Sequence, residues 1–420
     1  MVSAVTIGGS TGKPVILQFD STSNYTLAAQ IAARINAGLG DGSVVLTYNP
    51  SDTAETIPGG KTGAFVQTGP MPARLTASFP IDLVNTGGSA VVLGSDAPNQ
   101  VVLSDQFTNL TFVANAGSGT VVAGGGNNRL AVSGDSTSGW SLFTGDGNDL
   151  ISALGELSAT IGAGGGLNAI ALGGGHDLVV SSGSDLIAAG SGAVTVDATA
   201  AQNDFVQGQS SHLLFLGGAG NTTIVGGTGS DTYYGAAGST FAQMQGWSGQ
   251  QLIEGGSAGN NLLMAGDGAA TLVGGGDNDQ LYAYGFTGQL LKASGGNETL
   301  SAALSFGNDT LVAGPGHDLI VTSPGQDTVI GGSGQATVKA SPGTTFEFVN
   351  HQAGGTELVT GMFDPSSIHI DLDGYGHDEI RRALDSQTVQ NGSVTISLTD
   401  GTKVTFEDVT SLNRSNFTSH

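Results

Sequence analysis

The chain has 420 residues, including 71 glycines and no cysteine, and its 35 acidic residues outnumber its 11 basic ones to give a formal net charge of −24. This balance excludes nucleic acid as a partner, since phosphate binding needs clustered cations, and it favours divalent cations. The lack of cysteine excludes disulfides, thiolate metal sites and thiol catalysis. No apolar stretch reaches about eighteen residues, so no membrane span is expected.

Residues 1–80 differ in pattern from the rest and are predicted to form a small α/β unit. The pattern predicts a pair of strands around a glycine turn. A helix follows in YTLAAQIAARINAGLG, where apolar residues recur at helical spacing, and then a strand in GSVVLTYN. Ser23 or Asn24 is expected to cap the helix, and Gly38 or Gly40 to end it. Two roles stay open for this unit, a cap that shields the first coil of the following domain and a docking or assembly module.

From residue 81 to residue 345 short apolar runs alternate with turns rich in Gly, Asn, Asp and Ser. The period is clearest in GNDTLVAGP, GHDLIVTSP, GQDTVIGGS and GQATVKASP, which start at residue 307 and repeat every nine residues. A nine-residue unit holds one strand and one tight turn, and it buries apolar side chains only by stacking on its copies. We therefore expect a β-solenoid with two units in each coil, which puts Asp309 and Asp327 on one edge and Asp318 on the other.

Two further stretches connect this pattern to a known family. GGTGSDTYY at residues 226–234 follows the pattern G-G-x-G-x-D-x-U-x at every position except Tyr233, which replaces a large aliphatic residue, and GGGHDLVV at 173–180 is close to it. The pattern resembles the nonapeptides of the RTX (repeats-in-toxin) secreted proteins. The resemblance implies a parallel β-roll stiffened by calcium. It also implies type I export through a C-terminal signal, which agrees with the lack of a Sec-type signal peptide in MVSAVTIGGSTGK.

The resemblance places a candidate Ca²⁺ ligand at the third position of each turn. Eight aspartates occupy this position: Asp149, Asp177, Asp185, Asp231, Asp279, Asp309, Asp318 and Asp327. Equivalent positions hold Asn, Thr or Ala at residues 128, 168, 222, 261, 270 and 336, so we expect only part of the turns to bind calcium, which requires several oxygen ligands and carboxylate charge. The structural alternative for every turn is a hydrogen bond between coils. Asp309 and Asp327 are the preferred pair because they share an edge.

Three stretches interrupt the repeat and are predicted to be loops that leave the solenoid: 198–211, 237–251 and 284–298. Such loops often form a contact surface. Phe241, Met244 and Trp247 make the second stretch the most adhesive candidate, with a patch that seals the core as the alternative.

Residues 346–420 are predicted to form a β-rich C-terminal cap that closes the solenoid and carries the export signal. Their pattern indicates strands, a short helix at HDEIRRALDSQ, and a hairpin around Asp400 and Gly401 in which Val394, Ile396, Leu398, Val404 and Phe406 point inward.

Catalytic motifs are not evident. The sequence has no HExxH and no GxSxG nucleophile elbow, and DLDGYGHDE at 371–379 lacks the glutamate that an EF-hand needs at its twelfth position, where Arg382 stands. His176 and His317 flank turn aspartates, either as solvated side chains or as zinc ligands. Arg129, Lys292 and Lys339 are the only cations between residues 81 and 345, which argues against an enzyme acting on acidic polysaccharides.

The sequence thus predicts a mainly β protein, a parallel β-solenoid or β-roll of Gly/Asp-rich nonapeptide-like repeats between an α/β N-terminal unit and a β-rich cap. We expect a non-enzymatic, secreted or cell-surface structural protein that binds Ca²⁺ and forms homo-oligomers or polymers in a surface layer, filament or biofilm matrix. An adhesin that binds a cell-surface glycan is the alternative, and a polysaccharide-modifying enzyme is the third hypothesis.

Overall fold

A computed structural model describes residues 3–8, 13–48, 57, 59–209, 212–243, 249–361 and 364–420. The chain is mainly β, with 47% of residues in strands and 8% in helices, and its strands form a parallel β-solenoid of about 16 turns. The predicted fold class is therefore confirmed. The chain divides into two compact units, residues 1–215 and 216–420. The division into parts at residues 80 and 345 stays a prediction.

Unit 1 carries the only long helix of the described chain. Its elements are β1 (Ser3–Ile7), β2 (Val15–Phe19), α1 (Thr22–Asp41), β3 (Val44–Tyr48), β4 (Thr62–Gln67), β5 (Ala73–Arg74), β6 (Ile81–Val84), β7 (Ser89–Leu93), β8 (Gln100–Ser104), β9 (Asn109–Ala114), β10 (Ser118–Ala123), β11 (Arg129–Gly134), β12 (Gly139–Phe143), β13 (Leu150–Gly155), β14 (Ser158–Ala163), β15 (Ala169–Leu172), β16 (His176–Ser181), β17 (Leu186–Ala188), β18 (Ala193–Asp197), β19 (Asn203–Gln207) and β20 (His212–Leu216).

Unit 2 continues with short strands and ends in a helix and a hairpin. Its elements are β21 (Asn221–Val225), β22 (Thr232–Tyr234), β23 (Thr240–Gln243), β24 (Gln251–Glu254), β25 (Leu262–Met264), β26 (Ala270–Val273), β27 (Gln280–Gly285), β28 (Leu290–Lys292), β29 (Thr299–Ser305), β30 (Thr310–Val312), β31 (His317–Val321), β32 (Thr328–Ile330), β33 (Gln335–Lys339), β34 (Thr345–Val349), β35 (Thr356–Thr360), β36 (His369–Asp373), α2 (Glu379–Asp385), β37 (Thr388–Gln390), β38 (Ser393–Ser397), β39 (Lys403–Phe406) and β40 (Phe417–Ser419). Two 3-10 turns, Pro365–Ser367 and Arg414–Asn416, precede β36 and β40.

In unit 1, successive strands alternate between two parallel sheets. The front sheet pairs β3, β4 and then the even-numbered strands to β18, and the back sheet pairs the odd-numbered strands from β5 to β19. Because side chains alternate along a strand, one row from each sheet fills the interior. Val102, Val121, Leu142 and Ile161 form such a row, with one residue from each coil.

Unit 2 repeats this arrangement and adds an antiparallel end. Its front sheet pairs the even-numbered strands from β22 to β36 and then β40, and its back sheet pairs the odd-numbered strands from β21 to β35 and then β39. The hairpin strands β37, β38 and β39 are antiparallel. The predicted inward residues of this hairpin are all buried.

The helix boundaries differ from the prediction. Helix α1 is capped by the side chain of Ser21, which accepts from the main-chain N–H of Asn24, and it ends at Gly42 with a positive φ of 77°. The predicted caps Ser23 and Asn24 are both inside the helix. Ser21 takes the role because it is extended, as an N-cap must be, and Gly42 tolerates the left-handed conformation.

Asn24 instead docks the helix on the front sheet of unit 1. Its buried side-chain amide donates to the carbonyl oxygens of Ala123 (3.3 Å) and Thr144 (2.8 Å). Ala28, Ala32 and Ile35 bury the same face of the helix in a core shared with the β1–β2 hairpin and with outward residues of the sheet. The N-terminal segment therefore covers the side of the first coils.

The predicted breaks are wrong within the described residues. Strand β19 lies in the first stretch and pairs with β17, β23 lies in the second and pairs with β21 and β25, and β28 lies in the third and pairs with β26 and β30. The described part of each stretch belongs to an ordinary coil, whose outward positions include polar and aromatic residues. Met244 and Trp247 lie outside the described residues.

Columns of glycine run along the turns because neighbouring coils approach too closely for a side chain. In unit 2, the position of a Cβ on Gly316 would coincide with the carbonyl of Gly296, and one on Gly334 would meet the carbonyl oxygen of Gly316. Gly334 does not have a positive φ, so close approach rather than backbone conformation requires glycine there. No helix in the described part of the chain is long and apolar enough to span a membrane.

Candidate calcium-binding turns

The eight predicted ligands lie where turns enter strands, on two edges in each unit. In unit 1, Asp149 and Asp185 enter the back sheet, whereas Asp177 belongs to the front sheet. In unit 2, the back-sheet residues are Asp279 and Asp318, and the front-sheet residues are Asp231, Asp309 and Asp327. The structure thus places Asp309 and Asp327 on one edge and Asp318 on the other.

In unit 1, these side chains form a hydrogen-bonded ladder between coils. The side-chain oxygen of each member accepts from the main-chain N–H of the equivalent residue one coil earlier, at 2.7–3.2 Å. The members, in order, are Asn128, Asp149, Asn168, Asp185 and Asp204. All are buried, so each bond satisfies an N–H that water does not reach.

Unit 2 has the same ladder on both edges. On the front edge, Asp309 accepts from the N–H of Gln289 (2.8 Å), and Asp327 accepts from that of Asp309 (2.9 Å). On the back edge, the acceptors are Asn261, Asp279 and Asp318. The structural alternative considered from the sequence, hydrogen bonding between coils, therefore applies to aspartates as well as to asparagines.

The second carboxylate oxygen separates the predicted ligands into two groups. It accepts a protein hydrogen bond in Asp185, Asp279, Asp318 and Asp327, mostly from a main-chain N–H of the same turn. Among the described residues it is buried without a well-formed hydrogen bond in Asp149, Asp177 and Asp309, although the nearby hydroxyls of Thr144 and Ser305 partly lower the pKa of Asp149 and Asp309. Asp231 accepts from the hydroxyl of Tyr233 at 3.1 Å.

Burial makes the charged form of these carboxyl groups costly. Desolvation raises the pKa of Asp149 to about 6, outweighing the hydrogen bond from Asn128, and it also raises the pKa of Asp177 and Asp309. At neutral pH, Asp149 therefore carries a charge that is only partly compensated by its surroundings. A cation beside the unpartnered oxygen would compensate that charge.

The carboxylates of Asp149, Asp177 and Asp309 fit a calcium ion best. In each of them, one oxygen is held in place by the ladder bond of the other, and a cation could bind this buried oxygen. Calcium would also need backbone carbonyls, because no group of three His, Cys, Asp or Glu side chains within metal-binding reach occurs among the described residues. The same observation gives no support to zinc at His176 or His317. By contrast, both oxygens already accept hydrogen bonds within the protein in Asp185, Asp279, Asp318 and Asp327.

Two ladder positions, Glu298 and Asp204, are not among the predicted ligands. Glu298 lies between Asp279 and Asp318 on the back edge of unit 2, where burial raises its pKa to about 7 and leaves Oε2 without a partner. Its sequence, GGNETL, follows the turn pattern with glutamate in place of aspartate, so the repeat pattern is sufficient to identify this position. Asp204 in unit 1 does not follow a glycine-rich turn. Only its spacing of nineteen residues from Asp185 identifies it as a ladder residue.

Asp309→Asn is expected to separate the two roles of this residue. Asparagine can keep the bond from the N–H of Gln289, as Asn128 and Asn168 do in their own coils, but it removes the charge. We expect calcium affinity, measured by isothermal titration calorimetry, to fall about tenfold or more at one site, with a circular dichroism spectrum like that of the parent. Asp378→Asn is the control, because it also removes one negative charge but from an exposed side chain. Equal loss in both variants would contradict a site at Asp309.

Comparison with known families supports calcium binding by turns in the C-terminal part of the chain, including the turn of Asp309. Residues 214–241, 255–290 and 305–338 match the model of the RTX calcium-binding nonapeptide repeat (4 copies). Asp309, Asp318 and Asp327 lie in the third segment, and Asp231 and Asp279 lie in the other two. No curated protein matches the chain. Three segments in the C-terminal part of the chain are therefore similar to RTX calcium-binding nonapeptide repeats, and calcium is the cofactor that such repeats bind.

Proposed function

We propose that the protein is a secreted, calcium-stabilised scaffold whose copies assemble in a surface layer, filament or biofilm matrix. The observation that carries the proposal is the ladder of buried carboxylates, in which Asp149, Asp177 and Asp309 keep one unpartnered oxygen each. Calcium at these oxygens would stiffen the stacked coils of each unit in the extracellular medium. RTX repeats are characteristic of secreted proteins, which supports secretion, and type I export is the route that the resemblance implies.

The overall charge supports a role for calcium in keeping the coils together. The net charge of −24 acts against a compact state, and buried carboxylates add to that cost when they ionise. Bound cations lower both contributions. A scaffold of this kind would be stable outside the cell, where calcium is plentiful, and weaker without it.

An apolar row on the outer surface supports side-to-side assembly. In the back sheet of unit 1, Leu150, Ala169, Leu186 and Phe205 occupy the same position in successive coils. Leu186 is 51% exposed, and Leu150 and Phe205 are exposed as well. A linear apolar stripe on an acidic protein is a contact that a second copy could cover.

The test is light scattering with negative-stain electron microscopy, first with calcium and then with excess chelator. We expect ordered assemblies in calcium that dissolve on chelation. Leu186→Ser with Phe205→Ser should leave a monomer whose melting temperature is unchanged, because both side chains point to solvent. Leu178→Ser, exposed on the front sheet of the same unit, should still assemble. A parent protein that stays monomeric at all concentrations with calcium would contradict the proposal.

A further inference from the structure

A groove runs across five strands on the outer surface of the front sheet of unit 2. It encloses about 750 Å³ and crosses β22, β24, β26, β28 and β30. Its walls include turn residues Ser230, Gln250 and Asn308. A volume of this size suits a small or extended ligand.

The floor of the groove is a regular row of side chains. Thr232, Leu252, Thr271, Leu290 and Thr310 pair in this order across successive coils. Hydroxyl and apolar side chains therefore alternate from one coil to the next. Threonine recurs every second strand, a distance of about 9.5 Å by ordinary strand spacing, which is comparable to a disaccharide unit in an extended chain.

The lining is neutral, which is unusual for this chain. None of the described residues that line the groove is charged, although acidic residues outnumber basic ones about threefold in the whole sequence. Glu254 and Lys292 lie two positions further along β24 and β28, and Asp231 and Asp309, which stand between lining residues in sequence, are buried. The groove therefore offers hydroxyl and amide groups without the charges that would select an ionic ligand.

An aromatic pair stands beside one end of the groove. Phe286 and Phe306 are 70% and 69% exposed, and their rings stack with centroids 5.3 Å apart and planes within 19° of parallel. Each lies two residues before a lining residue, Gly288 or Asn308. Exposed phenylalanines next to a hydroxyl-lined groove provide the apolar surface on which the CH face of a sugar ring can pack.

We propose that this groove binds an extended chain of a neutral glycan. The hydroxyls of Thr271 and its row, with the amides of Gln250 and Asn308, would pair with sugar hydroxyls. Leu252 and Leu290 would contact the apolar faces of the rings, with Phe286 and Phe306 at the end of the chain. The repeat of the polymer would follow the repeat of the coils. This proposal does not depend on self-assembly of the protein.

The experiment is calorimetric titration of the full, calcium-loaded chain with cellohexaose and mannohexaose, with polygalacturonate as an acidic polymer. We expect at least one neutral hexasaccharide to bind and polygalacturonate not to bind. Thr271→Ala and Phe286→Ala should each raise Kd about 3- to 10-fold, the effect of losing one hydrogen bond or one ring contact.

The matched control is Thr328→Ala. Thr328 continues the same row as Thr310 but lies beyond the groove, so its loss should leave Kd unchanged. Circular dichroism checks that each variant is folded. Absence of binding to both neutral sugars, equal binding of polygalacturonate, or equal effects of Thr271→Ala and Thr328→Ala would overturn the proposal.

Discussion

Gly334→Ala should lower the free energy of unfolding by about 3 kcal/mol, the upper part of the range for overpacked positions. A Cβ at this position would meet the carbonyl oxygen of Gly316 and the main chain of Pro315 in the coil before. Because those atoms are backbone, no side-chain rotation can relieve the contact, and the two coils must move apart. Separation would also stretch the neighbouring ladder hydrogen bonds.

The measurement is urea denaturation in the presence of calcium, with unfolding monitored by circular dichroism. Gly376→Ala is the matched control, since the added Cβ would have no atom within 4 Å and neither glycine has a positive φ. We expect the control to stay within about 0.5 kcal/mol of the parent. Similar values for the two variants would mean that the coils are not packed as closely as the glycine column requires.

The calcium-free protein should lose stability as pH rises from about 5 to about 8. Asp82 in unit 1 pairs in register with Phe65 and Val102, and Glu357 in unit 2 lies between Ala336 and Val404. Both side chains are buried, and none of their carboxylate oxygens has a hydrogen-bond partner within the described protein. Burial raises the pKa of each to about 8.

The direction follows from proton linkage. In the unfolded chain these groups ionise near pH 4, whereas the folded protein keeps their protons until about pH 8. The stabilising contribution is therefore complete below pH 4 and is lost as pH rises towards the folded pKa. The raised pKa values of Asp149, Asp204 and Glu298 act in the same direction. We expect a total loss of at least about 3 kcal/mol between pH 5 and pH 8.

Chemical denaturation in chelator at several pH values measures this slope. The double variant Asp82→Asn with Glu357→Gln should flatten it, because the replacements do not titrate. Asp378→Asn, which changes an exposed carboxylate, should leave the slope as in the parent. A stability that rises with pH in chelator would contradict the burial of uncompensated carboxyl groups.

Much of the fold could be predicted because the repeat places each residue type in a fixed environment. The nine-residue spacing of Asp309, Asp318 and Asp327 correctly assigned them to alternate edges. Alternation in the C-terminal hairpin likewise identified its buried residues. Both predictions use only strand geometry and the period, which do not depend on details of packing.

Other features depend on contacts that the sequence does not display. Residues 284–298 were predicted to be a loop because Tyr284 and Phe286 interrupt the pattern, but a bulge in β29 restores the register. Gln289 then holds the ladder position, and its amide donates to the carbonyl oxygens of Gly266 and Tyr284. An aromatic outward position and an amide in place of a carboxylate are both compatible with a coil.

The candidate ligands show the same limit. Asp309 and Asp327 have the same place in the repeat, yet only Asp327 receives a second hydrogen bond, from the N–H of Ser323. For Asp309, the residue four positions earlier is Ser305, whose side chain lowers the pKa of the carboxyl group without the main-chain hydrogen bond that Asp327 receives. The repeat pattern therefore predicts which residues face the turn, but not which of them retain an oxygen for a metal ion.

The most direct test of calcium stabilisation is thermal unfolding of the full chain at about pH 7.5, in excess chelator and then at increasing free calcium. A ligand that binds only the folded state stabilises it by about 2.7 kcal/mol at a hundred times Kd, so the melting temperature should rise steadily with the logarithm of calcium concentration. The same melting temperature in chelator and in millimolar calcium would contradict the central claim that these turns hold calcium to stabilise the solenoid.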